Sequence, residues 1–356
     1  MLIEEYISKC KVEMTNCTGE KMSDKDYFSI PAISNSRLRL LNPKEGGTPE
    51  KYQAGFQFGY NPSLLLGSAV HSQILNPDEI EVSNYEGKPS GKLGCFIEEV
   101  YRLRKAGYLL SDAFSLASKT SDYYYGHLTP KRLKKAINDG LDYYLKLIHG
   151  EFTNQNKEVL VLPKQYLDTC WKCVNAIKNQ PQIHKLRSEN LFEEKVFMNE
   201  YAFFADFLVT LPTGEEKYLK LKGKADSIII DPEEKIIWLN DVKTTSKPIG
   251  IFMDHIWEGH VVDGSFSHHH YYTQMALYQL FIAWHLKKNL GYKDYDIRVS
   301  MWAVETTGDN KADFFPVNQA WLDLGKKELK ELLVRVTFHE KYGWDKSFED
   351  IITADL

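Results

Sequence analysis

Two apolar segments separated by a short turn constrain the fold of this chain more than any other feature. They cover residues 223–230 and 235–243, and the turn Asp231-Pro232-Glu233-Glu234 lies between them. Apolar runs of this length around a proline-containing turn predict a β-hairpin. In such a hairpin Asp226 falls opposite Asp241 or within two positions of it, and directly opposite Cβ atoms are about 5 Å apart. The pattern therefore predicts two neighbouring carboxylates at one end of a pair of apolar strands.

Lys243 belongs to the same group of charged residues. It lies two residues beyond Asp241 and so points to the same side of the strand, whereas Val242 points away. Burying two like charges together is costly unless a cation lies between them. A hard dication such as magnesium prefers oxygen ligands, and a lysine beside it could orient or deprotonate a metal-held water for phosphodiester hydrolysis. The structural alternative is an ion pair of Asp241 with Lys243 or with Lys224.

The rest of the sequence divides into a helical first half and a strand-rich second half. Residues 1–28 are polar and weakly patterned, which predicts a loosely ordered N-terminal arm. Residues 29–190 predict mainly helices, whereas residues 191–345 predict strands with a long helix, a returning strand and a last helix. Residues 346–356 form a C-terminal tail. This order predicts an α+β class in which a helical N-terminal elaboration precedes the sheet.

Turn and cap signals define the individual elements. Ser34 or Ser36 begins a short helix, and the Asn-Pro pairs at 42–43 and 76–77 each end one. A Pro-Thr-Gly turn at 212–214 separates two strands. The predicted strands are 192–198, 201–211, 217–221, 225–230, 235–242 and 297–304, and the predicted helical regions are 63–75, 95–148, 163–178, 270–288 and 319–334.

Composition limits the partners of the chain. With 44 basic and 49 acidic residues the formal charge is −5, so binding to nucleic acid requires a local basic patch or bridging metals. No apolar run approaches the roughly 18 residues of a membrane helix, and the N-terminus lacks a signal-peptide pattern. Five dispersed cysteines indicate a reducing compartment. We therefore expect a soluble cytoplasmic protein with no membrane partner. The sequence contains no G-x-x-x-x-G-K-[ST] loop, which argues against an ATP-driven motor.

The hairpin residues resemble the signature of the PD-(D/E)XK nuclease superfamily. Asp226 followed by Asp241-Val242-Lys243 is similar to the form found in its RecB-like branch. Two further motifs of that branch have counterparts in the expected order. Residues 67–71 resemble the G-x-x-x-H helix motif, which ends at His71, and residues 274–278 resemble the Q-x-x-x-Y helix motif.

Within this branch, the chain most resembles the phage-type exonuclease VIII (RecE-like) exodeoxyribonucleases, because its N-terminal motifs are similar to theirs. These motifs consist of residues 33–38, then 66–71 and 75–77, and the whole resemblance spans about residues 30–285. It implies a restriction-endonuclease-like α/β/α core with a central mixed sheet flanked by helices. It also implies a location in a bacterium or a phage-infected host cell.

The implied activity is that of a metal-dependent DNA exonuclease. Such an enzyme hydrolyses phosphodiester bonds from the ends of double-stranded DNA, here 5′ to 3′, in recombination or repair. The implied cofactor is Mg²⁺, with Mn²⁺ as a substitute, and two metal ions activate the water. Two alternatives stay open at this point. One is a non-catalytic DNA-end-binding or assembly protein on the same fold, and the other is an endonuclease or an RNA-directed nuclease.

The resemblance also implies roles for individual residues. Asp226 and Asp241 are metal ligands, the backbone carbonyl of Val242 is a third ligand, and His71 supplies an imidazole to the second metal position. Lys243 is the catalytic lysine.

Residues around this centre are expected to assist it. Gln274 and Tyr278, one helical turn apart, position the strand that is cut. Glu194 is an assisting acid on the preceding strand, for which Glu193 is an equal candidate. The basic residues Lys224 and Lys247 are expected to face phosphate, although lysines on strands also protect solvated edges from aggregation.

Three further features of the sequence have weaker interpretations. The run at 268–270 consists of three histidines, and we interpret it as a polar loop before a helix, in preference to a zinc or manganese site. A lone C-x-x-C at 170–173 has no later cysteine, so no four-cysteine iron–sulfur cluster is expected. The family resemblance further implies that the chain acts on linear double-stranded DNA ends, that it forms a homo-oligomeric ring, and that a single-strand annealing protein is its partner.

Overall fold

The computed structural model describes residues 3–55, 62–84, 88–149, 158–162, 164–188, 195–257, 260–345 and 347–348. The chain divides into two compact units. One contains Met1–Phe56 together with Ala176–Leu356, and the other contains Gln57–Asn175. The helical region predicted over 29–190 is therefore shared between the two units.

The strands carry labels in chain order. They are β1 (Lys11–Lys21), β2 (Ile33–Ser34), β3 (Ile80–Asn84), β4 (Glu158–Leu162), β5 (Val196–Thr210), β6 (Glu216–Asp231), β7 (Ile236–Thr245), β8 (His255–Trp257), β9 (His260–Val262), β10 (Asp296–Glu305) and β11 (Ala312–Val317).

The helices carry labels in the same way. They are α1 (Ile3–Lys9), α2 (Asp24–Ser29), α3 (Asn35–Arg39), α4 (Pro49–Ala54), α5 (Pro62–Leu75), α6 (Lys92–Lys105), α7 (Leu110–Thr120), α8 (Pro130–His149), α9 (Lys164–Asn179), α10 (Pro181–Arg187), α11 (Ser265–His268), α12 (Tyr271–Ile282) and α13 (Gln319–Tyr342).

A seven-stranded mixed sheet forms the centre of the first unit. Its order is β1-β5-β6-β7-β10-β11, with β2 paired to β6. β2 runs parallel to β6 and β10 runs parallel to β7, whereas the other neighbours are antiparallel. Apolar residues of α12 and α13 join those of the sheet in one buried cluster. The prediction of an α+β class with a central mixed sheet flanked by helices is confirmed, and the arrangement is consistent with a restriction-endonuclease-like core.

The N-terminal residues differ from the expected loose arm. Residues 11–21 form β1, which pairs antiparallel with β5 from Lys11↔Thr210 to Lys21↔Tyr201. Only Cys17 is buried in this strand. Because β1 is an edge strand that is held by backbone pairing more than by apolar side chains, its sequence resembles that of a loop.

Two predicted breaks within strands are absent. β5 is continuous through Glu200, which adopts a left-handed φ of 52°, and β6 is continuous through Gly223. Pairing between β5 and β6 outweighs the local turn signals, because each further pair of residues satisfies more backbone N–H and C=O groups with hydrogen bonds. Among the helices, the predicted one at 270–288 is α-helical only to Ile282 and continues as a π-helix over Ala283–Asn289.

The second unit is mainly helical. α6, α7 and α8 bury a cluster centred on Phe96, Val100 and Tyr143. β3 and β4 form a separate parallel pair. Along the described parts of the chain, every helix is too short or too polar to span a bilayer.

Candidate active site

The predicted hairpin forms with the predicted register. β6 and β7 are antiparallel, and Ser227 is paired with Asn240. One step further along both strands Asp226 and Asp241 face each other where the two strands begin to separate. The predicted hairpin is present, and the roles of Asp226 and Asp241 as metal ligands stay predictions.

Glu200 adds a third acid on the neighbouring strand. The residues on either side of it, Asn199 and Tyr201, pair with the residues on either side of Asp226. Carboxylate oxygens of Glu200 and Asp226 lie within 4.8 Å of each other. Glu200, Asp226 and Asp241 thus form one row across β5, β6 and β7.

Both hairpin acids are held by hydrogen-bond donors. The backbone N–H of Val242 donates to Oδ2 of Asp226 at 2.7 Å. The side-chain amide of Gln274 on α12 donates to Oδ1 of Asp241 at 3.0 Å. Because the donors lie on β7 and on a buried helix, the carboxylates are oriented before any ligand binds.

Asp241 is fully buried, and its second carboxylate oxygen is paired with a lysine. The Lys243 ammonium contacts Oδ2 of Asp241 as an ion pair. Carboxylate oxygens of Glu200 and Asp226 lie within 4.8 Å of each other, and Asp241 adds a buried acid in the same row; oxygen donors of this kind suit a hard divalent cation. The residues present therefore fit a magnesium or manganese ion.

Lys243 is protonated in this environment. Burial alone would favour its neutral form, but the charges of Asp241 and Asp226 outweigh that effect and raise its pKa. Its Nζ lies 5.2 Å from the ring centroid of Tyr271. The raised pKa makes Lys243 a cation beside the two carboxylates.

Tyr278 is the second residue of α12 that the sequence assigns to the site. It lies one turn after Gln274 on α12 and is buried. Burial, followed by the charges of Tyr27, Asp241 and Asp226, raises its pKa well above 10, so its phenol stays neutral. A Cβ atom at Gly223 would lie 2.4 Å from Cε1 of Tyr278, so only glycine leaves room for this ring. The positioning of a DNA strand by Gln274 and Tyr278 stays a prediction.

The two lysines that we expected to face phosphate have different surroundings. Lys224 forms ion pairs with Glu200 and with Asp24. Burial opposes its charge, but Asp24 and Glu200 outweigh burial and raise its pKa. Lys247 is exposed, and we find no ion-pair partner for it within the described ranges.

Sequence reasoning missed Glu200 because a strand break was predicted at that position. Interpreting residues 196–210 as one strand would have placed Glu200 opposite Asp226 by register alone. The acids that we had assigned to this role, Glu194 and Glu193, lie outside the described residues. His71 is partly buried on α5, in the second unit. Its assignment as a metal ligand stays a prediction.

No family model and no curated protein matches this chain. Among solved structures, it is similar to the crystal structure of a candidate exonuclease from Eubacterium rectale, with 14% sequence identity and a TM-score of 0.45. The match covers 89% of this chain and 86% of the other.

Proposed function

We propose that this chain is a metal-dependent nuclease that hydrolyses phosphodiester bonds in DNA. The observation that carries the proposal is the row of Glu200, Asp226 and Asp241 with the Lys243 cation against the buried member. Three acids and one lysine suit charge stabilisation at phosphorus, because a dication that the carboxylates would hold would supply Lewis-acid chemistry there. The resemblance to the PD-(D/E)XK signature supports the same conclusion.

The contacts of each site residue support a particular role in the proposed reaction. Asp226, Asp241 and the Val242 carbonyl would hold the metal, with Glu200 as a further carboxylate at the same register. When bound, the ion would make water nucleophilic at neutral pH and stabilise the leaving oxygen. Gln274 keeps Asp241 oriented through its amide hydrogen bond. Lys243 supplies a fixed positive charge to a non-bridging phosphate oxygen or to the attacking water.

We further propose the finer features that the family resemblance implies. His71 supplies an imidazole to a second metal position, and the enzyme acts on ends of double-stranded DNA in the 5′ to 3′ direction. A role in recombination or repair, a homo-oligomeric ring and a single-strand annealing partner belong to the same proposal. Mg²⁺ is the expected ion, and Mn²⁺ is the expected substitute.

The decisive experiment measures nucleotide release from linear duplex DNA labelled at either the 5′ or the 3′ end. We expect cleavage with Mg²⁺ or Mn²⁺, none with EDTA, and loss of cleavage in Asp241→Asn and Lys243→Ala. Asp296→Asn, an exposed aspartate at the other end of the sheet, is the matched control and should retain full activity. His71→Ala tests the second metal position. Closed circular DNA and RNA of the same sequence test the exonuclease mode and the preference for DNA.

Two outcomes would contradict the proposal. DNA binding without cleavage under every metal condition would favour an end-binding protein on the same fold. Full activity of Asp241→Asn and Lys243→Ala would make their pairing a structural ion pair only.

A further inference from the structure

The three consecutive histidines separate into two groups with different surroundings. His270 faces the interior, where its Nδ1 lies 2.9 Å from a carboxylate oxygen of Glu328. Thr273 donates to the same carboxylate at 2.7 Å and Asn42 at 3.1 Å. His270 therefore has a structural partner, and it is the N-cap residue before α12, with a φ of 48°.

His269 and His268 instead lie beside Tyr271. The ring centroids of His269 and Tyr271 are 5.4 Å apart, and those of His268 and His269 are 4.9 Å apart. Tyr271 in turn lies next to Lys243, whose ammonium is 5.2 Å from its ring centroid. A continuous set of side chains therefore runs from the candidate catalytic lysine to the surface. We name His268, His269, Tyr271 and the nearby Lys247 the histidine–tyrosine strip.

The polar atoms of this strip are available to a ligand. Within the described part of the chain, we find no hydrogen bond or ion pair at the Tyr271 hydroxyl, at the imidazoles of His268 and His269, or at the Lys247 ammonium. Burial raises the pKa of Tyr271, so its phenol remains a neutral hydrogen-bond donor. The four side chains therefore keep polar atoms without a hydrogen-bond partner among the described residues.

Positive charges outweigh negative ones around His269, although the acids Glu45 and Asp241 also act on the strip. Burial lowers the pKa of His269, and the charges of His268, Arg39 and Lys247 lower it further. Arg39 is itself paired with Glu45, whereas Lys247 has no ion-pair partner among the described residues. Hydrogen-bond donors beside an excess of positive charge suit an anion with several acceptor oxygens.

The geometry favours a phosphate group over a nucleobase or a metal ion. The Tyr271 ring is already packed against Phe252, at 6.3 Å and 21°, and against the Lys243 ammonium, so its hydroxyl is more available than its face. The histidine rings are tilted against one another, and offer edges in place of a flat platform. Among the described residues, the strip is not part of any cluster of three metal-ligating side chains.

We propose that the histidine–tyrosine strip binds the phosphodiester backbone of the cleaved DNA strand next to the scissile phosphate. Tyr271 Oη and His269 donate hydrogen bonds to phosphate oxygens, and Lys247 and His268 contact the following phosphate. This inference rests on the proposed nuclease function and assigns its substrate-positioning residues. None of the four residues is a metal ligand, so the strip is expected to act on substrate binding and not on metal binding.

The test is the affinity of the whole protein for a fluorescein-labelled duplex with a single-stranded overhang, measured by fluorescence anisotropy in EDTA over a range of salt concentrations. We expect Tyr271→Phe and His269→Ala each to weaken binding about tenfold, because each removes a hydrogen bond to a charged group. Lys247→Gln should reduce the slope of log affinity against log salt by about 0.9, which is the loss of one phosphate contact. In cleavage assays the same variants should raise KM more than they lower kcat.

Matched controls separate these effects from general damage. Tyr218→Phe changes an exposed tyrosine on β6, and Lys293→Gln changes an exposed lysine at the opposite end of the sheet. Both should bind DNA like the wild type, and thermal melting should show that all variants are folded.

The possible failures are distinguishable. If the wild type cleaves DNA and the strip variants retain wild-type affinity, salt slope and KM, the strip proposal is wrong and the nuclease proposal stands. If the strip variants lose affinity but the wild type never cleaves, the strip binds DNA and the nuclease proposal is wrong. Absence of any DNA binding by the wild type would overturn both.

Discussion

The side-chain amide of Gln274 donates a 3.0 Å hydrogen bond to Oδ1 of Asp241, the most buried acid of the candidate site. This contact joins α12 to the hairpin and fixes the rotation of the carboxylate. A donor that orients a metal-binding carboxylate commonly changes metal affinity or activity by about 10- to 100-fold when it is removed. The G-x-x-x-H and Q-x-x-x-Y motifs were recognised as patterns, whereas the structure gives Gln274 this physical role.

The first prediction follows from that hydrogen bond. Gln274→Ala should lower the rate of DNA cleavage by about 10- to 100-fold and weaken Mn²⁺ binding, because Asp241 loses its orienting donor. The measurements are cleavage kinetics and calorimetric titration with Mn²⁺. Gln279→Ala, on the same helix, is the control and should change neither quantity. Unchanged Mn²⁺ affinity in Gln274→Ala would show that the hydrogen bond does not serve the metal site.

The second prediction concerns the space in front of Tyr278. Gly223→Ala places a methyl group 2.4 Å from the Tyr278 ring and 2.9 Å from the Phe281 ring, so the strand or the helix must shift. Overpacking of this kind costs about 1–3 kcal/mol in the free energy of unfolding, which chemical denaturation measures. Gly250→Ala is the matched control, since a Cβ there meets no atom within 4 Å. Equal stability of the two variants would mean that Tyr278 can move away at little cost.

The third prediction concerns metal removal. A dication that binds only the folded protein stabilises it by about 2.7 kcal/mol at 100 times its Kd, which raises Tm by a few degrees. We expect Mn²⁺ to raise Tm of the wild type and EDTA to reverse the change. Asp226→Asn and Glu200→Gln should reduce this stabilisation, because each removes a negative oxygen donor. Asp296→Asn should respond like the wild type, and an identical metal response in Glu200→Gln would exclude Glu200 from the site.

The fourth prediction concerns the buried carboxylate of Glu328. Burial would raise its pKa, but hydrogen bonds from His270 and Thr273 and the charges of His270 and Lys44 outweigh burial and lower it below 4.5. The folded state therefore gains stability from this group above pH 4.5, and loses it as the pH falls through the lowered value. Glu328→Gln should be less stable than the wild type at pH 7, and should lose less stability between pH 5 and pH 3.

Unfolding in urea at a series of pH values measures this effect. Glu216→Gln, at an exposed glutamate, serves as the reference and should follow the wild-type curve. Parallel curves for Glu328→Gln and the wild type would show that the ionisation of Glu328 does not stabilise the fold.

The hairpin and the residues that share one side of it could be predicted from the sequence alone. Two apolar strands around a four-residue turn allow few registers, and a period of two fixes which residues share a side. The facing of Asp226 and Asp241 and the contact between Lys243 and Asp241 were therefore predictable. The placement of Gln274 and Tyr278 on one face of a helix was also predictable. Like the hairpin register, it depends only on the spacing of residues that are close in sequence.

Other features were decided only by the tertiary structure. Glu200 lies at the site because the 15-residue strand β5 pairs with β6 on both sides of it. Glu200 itself has a left-handed φ, and local propensity predicts that the strand breaks at this residue. β1 is a strand because β5 offers it an unpaired edge, which its own polar sequence does not reveal. The three consecutive histidines have different surroundings because α12 begins directly after them. His270, the N-cap residue, contacts Glu328, whereas His269 lies beside Tyr271 and packs against His268. In each case the deciding contact is made by residues far away in the chain, and such contacts leave no local pattern in the sequence.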